Sequence, residues 1–154
     1  MAKEIERKFL LKDSGWRGLA AGTLYRQGYL STAIERVVRV RTIGERGYLT
    51  IKSLSVGITR TEFEYEIPID DANVMLDHLC ERPLIEKTRY AIPHGGFTWE
   101  VDEFHGENAG LILAEVELED ESQELSLPPW IGEEVSEDPR YFNANLVKHP
   151  YITW

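Results

Sequence analysis

The 154-residue chain holds a single cysteine, Cys80, and two methionines. An intrachain disulfide is thereby impossible, and a zinc site built on several thiolates is excluded. Basic residues are scarce as well: 17 Lys and Arg face 27 Asp and Glu, for a formal charge of −10. Nucleic-acid binding draws on phosphate neutralisation by Lys and Arg, so no nucleic-acid partner is expected. A local anion pocket escapes that argument, because it depends on nearby charge and not on the sum. No apolar run approaches the roughly 18 residues that cross a bilayer, and the charged start lacks the apolar core of a signal peptide. The expectation is a cytoplasmic protein with no membrane partner. The length suits one domain, 1–154, and no repeat, linker or low-complexity tract divides it.

What the chain does have is alternation. Eight stretches rich in Val, Ile, Tyr, Thr and Phe read as strands: "KEIERKFLL" near the start, 23–31, 36–43, 47–54, 59–68, 84–93, 97–104 and 111–119. The joins "GERG" at 44–47, "SVG" at 55–57 and "HGG" at 94–96 are turn-like and short, which favours antiparallel hairpins. Helices are few. Residues 71–81, with Asp70 as cap, space Val74, Met75, Leu79 and Cys80 helically. Near the end, Asp138 suits an N-cap and Pro139 the first helical position. The adjacent prolines of "SLPPWIGEEV", 126–135, predict a loop.

Successive strand side chains point to opposite faces, so odd and even positions separate what each face carries. Glu4, Glu6 and Lys8 share one face. So do Arg39 with Arg41, Arg60 with Glu62, Glu64 and Glu66, and Lys87 with Arg89. Lys52 shares a face with Thr50, Glu100 with Asp102, and Glu115 with Glu117 and Glu119. Opposite them stand Val38, Val40, Leu49, Ile51, Phe63, Trp99, Val101, Val116 and Leu118. The ordinary reading is a barrel or sandwich with its apolar face inside and its charges in water. Yet these polar faces are sorted by sign, with like charges about 7 Å apart along a strand. Aligned carboxylates repel unless a cation lies between them, and aligned arginines suit an intervening anion. A near balance of carboxylates and cations is also what a closed polar interior requires. Periodicity alone does not say which face is inside, so both readings stand.

The motif "EIERKFL" matches the E-x-E-x-K signature of the CYTH superfamily, the triphosphate tunnel metalloenzymes. "YRQGYL", "VVRVRT", "YLTIKS", "TRTEFEYEIP", "IEKTRY", "WEVDEF", "AEVELE" and "GEEVSEDPRYFNANL" come after it in order, so the similarity spans essentially the whole chain. The chain most resembles short bacterial members that hydrolyse inorganic triphosphate. That resemblance implies an α+β, mainly antiparallel β fold: an eight-stranded tunnel barrel with a charged interior and helices packed outside. A C-terminal helix covering one tunnel mouth is a further family feature.

By resemblance, Lys8, Arg39, Arg41, Lys52, Arg60, Lys87 and Arg89 are the ligands of a linear triphosphate. Glu4, Glu6, Glu62, Glu64, Asp102, Glu115 and Glu117 are the metal set. Carboxylate oxygens favour Mg²⁺ or Mn²⁺, with two ions expected. The expected reaction is metal-assisted hydrolysis of the terminal phosphoanhydride of triphosphate, with nucleoside triphosphates as further substrates. Lys87, Glu4 and Glu62 are the candidate bases, although a lysine among carboxylates is expected to hold its proton more tightly. Competing readings are a class IV adenylate cyclase, a thiamine triphosphatase and a non-catalytic polyphosphate-binding module. A homodimer is left open. Glu66, Glu100 and Glu119 read as salt-bridge partners, the four histidines as surface or loop residues, and Trp130 and Trp154 as packing. Gln27 and Tyr29 share a face, but which side they line stays undecided.

Overall fold

The computed structural model describes residues 2–154. All eight expected strands form: β1 (Ala2–Leu11), β2 (Gly22–Ser31), β3 (Arg36–Ile43), β4 (Arg46–Ser53), β5 (Thr59–Ile67), β6 (Ile85–His94), β7 (Phe97–Phe104) and β8 (Ile112–Glu117). They lie in the order β5-β4-β3-β2-β6-β7-β8-β1, and β1 pairs back onto β5 to close an antiparallel barrel. Closure removes the free edges that an open sheet would expose.

A ninth strand, β9 (Ile131–Glu134), corrects the loop expected over 126–135. The two prolines bar only their own positions from a ladder, and the loop that runs from the end of β8 ends one residue after them, at Trp130. β5 occupies the β1 edge only from Ala2 to Ile5, while β9 pairs with that strand at Phe9 and Leu11. Arg7 fixes the added strand through Glu134, with Nε and Nη2 donating at 2.9 and 2.6 Å.

The helices also depart from the sequence reading. α1 runs Ile69–His78 with Pro68 at its N-cap, so Asp70 lies inside the first turn with Asp71, where a negative charge suits the helix dipole. Its buried face is Ala72 and Leu76, whereas Val74 and Leu79 are exposed. Cys80 lies beyond the helix end yet is buried, close against Gly28 of β2, where a Cβ would come within 2.8 Å of the Cys80 Cβ. Near the C-terminus Asp138 does cap, accepting from the Arg140 N–H, but it caps a single 3₁₀ turn, Pro139–Tyr141. Phe142 is extended, and only then does α2 (Asn143–Lys148) begin.

The apolar faces look outward and are covered in patches. α1 lies over β3 and β4, enclosing Val40 with Ala72, Leu76 and Cys80. Over β1, β6, β7 and β8 the cover comes from irregular segments and β9: Trp99 and Val101 are 0 % exposed beneath Trp130, Ile131 and Trp16. Tyr65 and Ile51, on the outer side of β4 and β5, stay exposed. A third cluster lies at one end of the barrel, where inward residues Ile85, Phe104 and Leu113 meet Leu146 and Val147 of α2. α2 therefore caps an end of the barrel and leaves the outer wall to other segments. Trp154 packs on Tyr141 and Tyr151 at 5.2 and 5.0 Å between ring centroids.

Candidate active site

With Val40, Trp99, Val101 and Val116 turned outward, their alternate neighbours must face the axis. They enclose a cavity of about 620 Å³. Every residue expected at the site lines it except Asp102: Glu4, Glu6 and Lys8 from β1, Arg39 and Arg41 from β3, Lys52 from β4, Arg60, Glu62 and Glu64 from β5, Lys87 and Arg89 from β6, and Glu115 and Glu117 from β8. Strand order sorts them into walls. β5, β1 and β8 are neighbours and bring together Glu4, Glu6, Glu62, Glu115 and Glu117. β3 and β6 flank β2 and present Arg39, Arg41, Lys87 and Arg89 around Tyr25, whose ring lies 5.4 Å from the Arg41 guanidinium and 4.9 Å from that of Arg89.

Ion pairs stitch the walls where they meet. Lys52 Nζ donates to both Glu4 oxygens at 3.1 and 2.8 Å, and Lys8 reaches Glu115 at 3.4 Å. Glu64 accepts from Thr50 at 2.8 Å and, more distantly, from Arg39 and Arg41. Arg89 holds Glu100 at 3.0 Å as well as Asp102 and Glu115. Asp102, 0 % exposed, sits behind the cavity wall with Lys87 Nζ 2.8 Å away and a forked Arg89 contact at 2.7 and 2.8 Å. Expected in the metal set, it holds two cations in this fold. Glu100, read as a salt-bridge partner, makes that bridge and also lines the cavity.

The electrostatics show what the cavity lacks. Burial, reinforced by Glu115 and Glu4, pushes the Glu6 carboxyl up to about 8. Burial and the neighbouring Glu4 raise Glu62, and burial with Glu4, Glu62 and Glu100 raises Glu117. For Glu4, burial acts upward but Lys52 outweighs it, and the net shift is downward. The carboxylate wall is thus short of positive charge around Glu6, Glu62 and Glu117. Among the described residues, the Nε groups of Arg39 and Arg41 on the opposite wall, and of Arg60 on β5 beside the carboxylates, are buried without a hydrogen-bond partner. Those donors call for an anion.

Lys87 corrects the expectation that carboxylates would tighten its proton. Burial dominates, and although Asp102 opposes it, Arg89 adds to it, leaving the ammonium lowered to about 8. A lysine near that value exchanges a proton close to neutral pH.

The all-oxygen donors of the carboxylate wall fit Mg²⁺ or Mn²⁺ in type. Among the described residues no three acidic, histidine or cysteine side chains already converge as a metal cage, since Glu4 leans to Lys52 and Glu64 to Thr50. The excess of carboxylate around Glu6 is the feature that a cation would relieve.

Several lining residues carry no charge. Tyr25 and Tyr29 line the cavity, and Gln27, between them in the strand, is fully buried, while Arg26 faces out to Asp77. Their shared parity was visible in the sequence, but uncharged residues carry no sign to sort. Asn143 lies on α2, remote in sequence from the eight barrel strands. Ile34, Leu54 and Ile58 come from loops whose path alternation does not define.

Comparison with known proteins agrees with this geometry. The CYTH domain model matches residues 2–151. An inorganic triphosphatase of Acetivibrio thermocellus is 56% identical over 151 residues, covering 98% of this chain and 97% of its own. An inorganic triphosphatase of Nitrosomonas europaea is 42% identical over 148 residues, covering 93% and 95%. A crystal structure of an inorganic triphosphatase superposes with a TM-score of 0.68 at 36% identity, over 96% of this chain and 95% of that one. A closed barrel with its charges turned inward and a match over nearly its whole length place the chain in the CYTH domain family.

Proposed function

We propose that this chain, as one domain, is a cytoplasmic inorganic triphosphatase that hydrolyses a terminal phosphoanhydride with the help of Mg²⁺ or Mn²⁺. The observation that carries the reading is the set of buried guanidinium donors on Arg39, Arg41 and Arg60 that find no partner among the described residues, in the same cavity as carboxylates crowded around Glu6. Neither half of such a cavity is satisfied alone, and a triphosphate with its metal supplies what both lack.

Lys8, Arg39, Arg41, Lys52, Arg60, Lys87 and Arg89 bind the triphosphate, the arginines through paired N–H groups and the lysines as point charges. Glu4, Glu6, Glu62, Glu64, Glu115 and Glu117 hold the metal, some of them through water. A bound pair of ions would neutralise phosphate charge and lower the pKa of an attacking water. Metal dependence is general among triphosphatases of this family. Lys87, lowered to about 8, is placed to exchange a proton with the reacting groups, with Glu4 and Glu62 as alternatives for that role. Asp102 is better described as the group that aims Lys87 and Arg89 than as a metal ligand.

A second reading has one observation in its favour. Ile34, Leu54 and Ile58 give part of the cavity an apolar lining that a bare triphosphate does not need. An organic triphosphate, such as a nucleotide or thiamine triphosphate, would use it. A panel of triphosphate, pyrophosphate, ATP, GTP and thiamine triphosphate separates the two, with triphosphate expected to give the highest kcat/KM. Cyclic AMP formed from ATP would instead point to cyclase chemistry. Within the same panel, Arg41→Ala is expected to raise KM for triphosphate by about tenfold or more, because a charge-assisted bond is lost. An unchanged KM would remove Arg41 from the binding set.

A further inference from the structure

Among the described residues, Asn143 is the member of α2 whose side chain joins the hydrogen-bonding of the barrel interior, and its amide is fixed in one orientation. Lys87 Nζ donates to Asn143 Oδ1 at 3.1 Å. Gln27 Nε2 donates to the same oxygen at 3.2 Å and to the Tyr29 hydroxyl at 3.2 Å. Gln27 is fully buried, so its amide cannot turn to solvent. A flipped Asn143 would set its NH₂ against the donors of Lys87 and Gln27, and flipping Gln27 does not remove the conflict at the lysine. While Lys87 carries its proton, the oxygen of Asn143 therefore stays toward the barrel wall. Its NH₂ makes no hydrogen bond among the described residues, and the residue lines the same cavity as Lys8 and Lys87.

The geometry points to Asn143 as a substrate-binding residue that donates its amide N–H to an oxygen of the phosphate group lying nearest α2. The inference rests on the triphosphate reading and deepens it. The other proposed substrate ligands are cations that answer to the charge of the substrate. Asn143 is a neutral donor of fixed direction, so it reports where a phosphate oxygen stands. It also makes the cap formed by α2 a part of the site, since withdrawal of the helix would remove this donor together with an acceptor for Lys87.

Two substitutions separate this role from that of a helix anchor. Asn143→Asp keeps an acceptor oxygen for both Lys87 and Gln27 but loses the N–H, whereas Asn143→Ala loses both without adding charge. Triphosphate affinity is measured by calorimetry in chelator, where no turnover interferes, and KM for triphosphate is measured with Mg²⁺. The expected result is that both variants weaken affinity and raise KM by about tenfold, while Asn143→Asp melts within about 2 °C of the wild type. Wild-type affinity in either variant overturns the inference; retention in Asn143→Ala alone would reduce the effect of the aspartate to charge repulsion. A wild-type protein that binds triphosphate, with the variants weakened as stated, yet fails to hydrolyse it would count against the hydrolase reading and leave the role of Asn143 standing.

Discussion

Replacing Glu6 by glutamine is expected to lower triphosphate turnover by at least about 100-fold, more than the loss typical of an outer-sphere partner. Glu6 stands opposite Glu117 in the ladder and feels the charges of Glu115 and Glu4, so a cation is most needed there. The amide keeps the shape and removes the charge, so metal binding should weaken with no change in packing. The same substitution should help the metal-free protein. The Glu6 carboxyl has an ordinary value of 4.5 and is raised to about 8 in the fold. Between those values the unfolded chain releases a proton that the folded chain retains, so wild-type stability in chelator falls as pH rises from 4.5 to 8 and levels off above. Glutamine has no proton to lose. The stability advantage of Glu6→Gln should therefore open across that window and stay constant at higher pH. Thermal melts in chelator from pH 5 to pH 9 check it; a gap that closes as pH rises would contradict the assignment.

Asp102→Ala should have the largest effect on stability. Asp102 and Lys87 are 0 % and 2 % exposed, and Arg89 is forked onto the same carboxylate. Burial acts against the Asp102 charge, and the nearby Lys87 and Arg89 more than offset it, holding its pKa below the usual carboxylate range. Removing it strips the buried Lys87 of its carboxylate partner and leaves Arg89 with Glu100 and Glu115 alone. Breaking a buried pair in this way costs about 3–5 kcal/mol, or roughly 10 °C in melting temperature for a chain of this size. The loss should appear in chelator as fully as in Mg²⁺, because the cost lies in unpaired protein charges. A loss seen only with metal present would return Asp102 to the metal set.

Much of the barrel was legible because a strand has a period of two and this chain marks each face with a different chemistry. Glu4, Glu6 and Lys8, or Arg39 and Arg41, reveal their shared face by parity alone. Parity alone does not choose the inner face; the resemblance implied a charged interior, and closure of the sheet by β1 returning to β5, which is not written in any single strand, bears it out. β9 was missed because Pro128 and Pro129 dominate their neighbourhood, while its pairing depends on an edge of β1 freed by distant residues. The error over the Lys87 proton has a similar origin. Sequence shows which charges share a face, but burial, the largest influence on this lysine, arises only when the barrel closes. Asp102 has the same parity as Glu100, and only the depth of the fold separates a group lining the cavity from one behind its wall. Asn143 reaches the site from a helix that no strand pattern could place.

Facing walls of carboxylates and cations should hydrolyse a triphosphate only when a divalent metal joins them. Phosphate release from inorganic triphosphate by the purified wild-type protein, in Mg²⁺ and then in excess chelator, tests this most directly. The expected result is turnover in Mg²⁺ that gives one phosphate and one pyrophosphate per triphosphate, is lost in chelator and returns when metal is restored. Absence of turnover with metal, or turnover that persists in chelator, would contradict it.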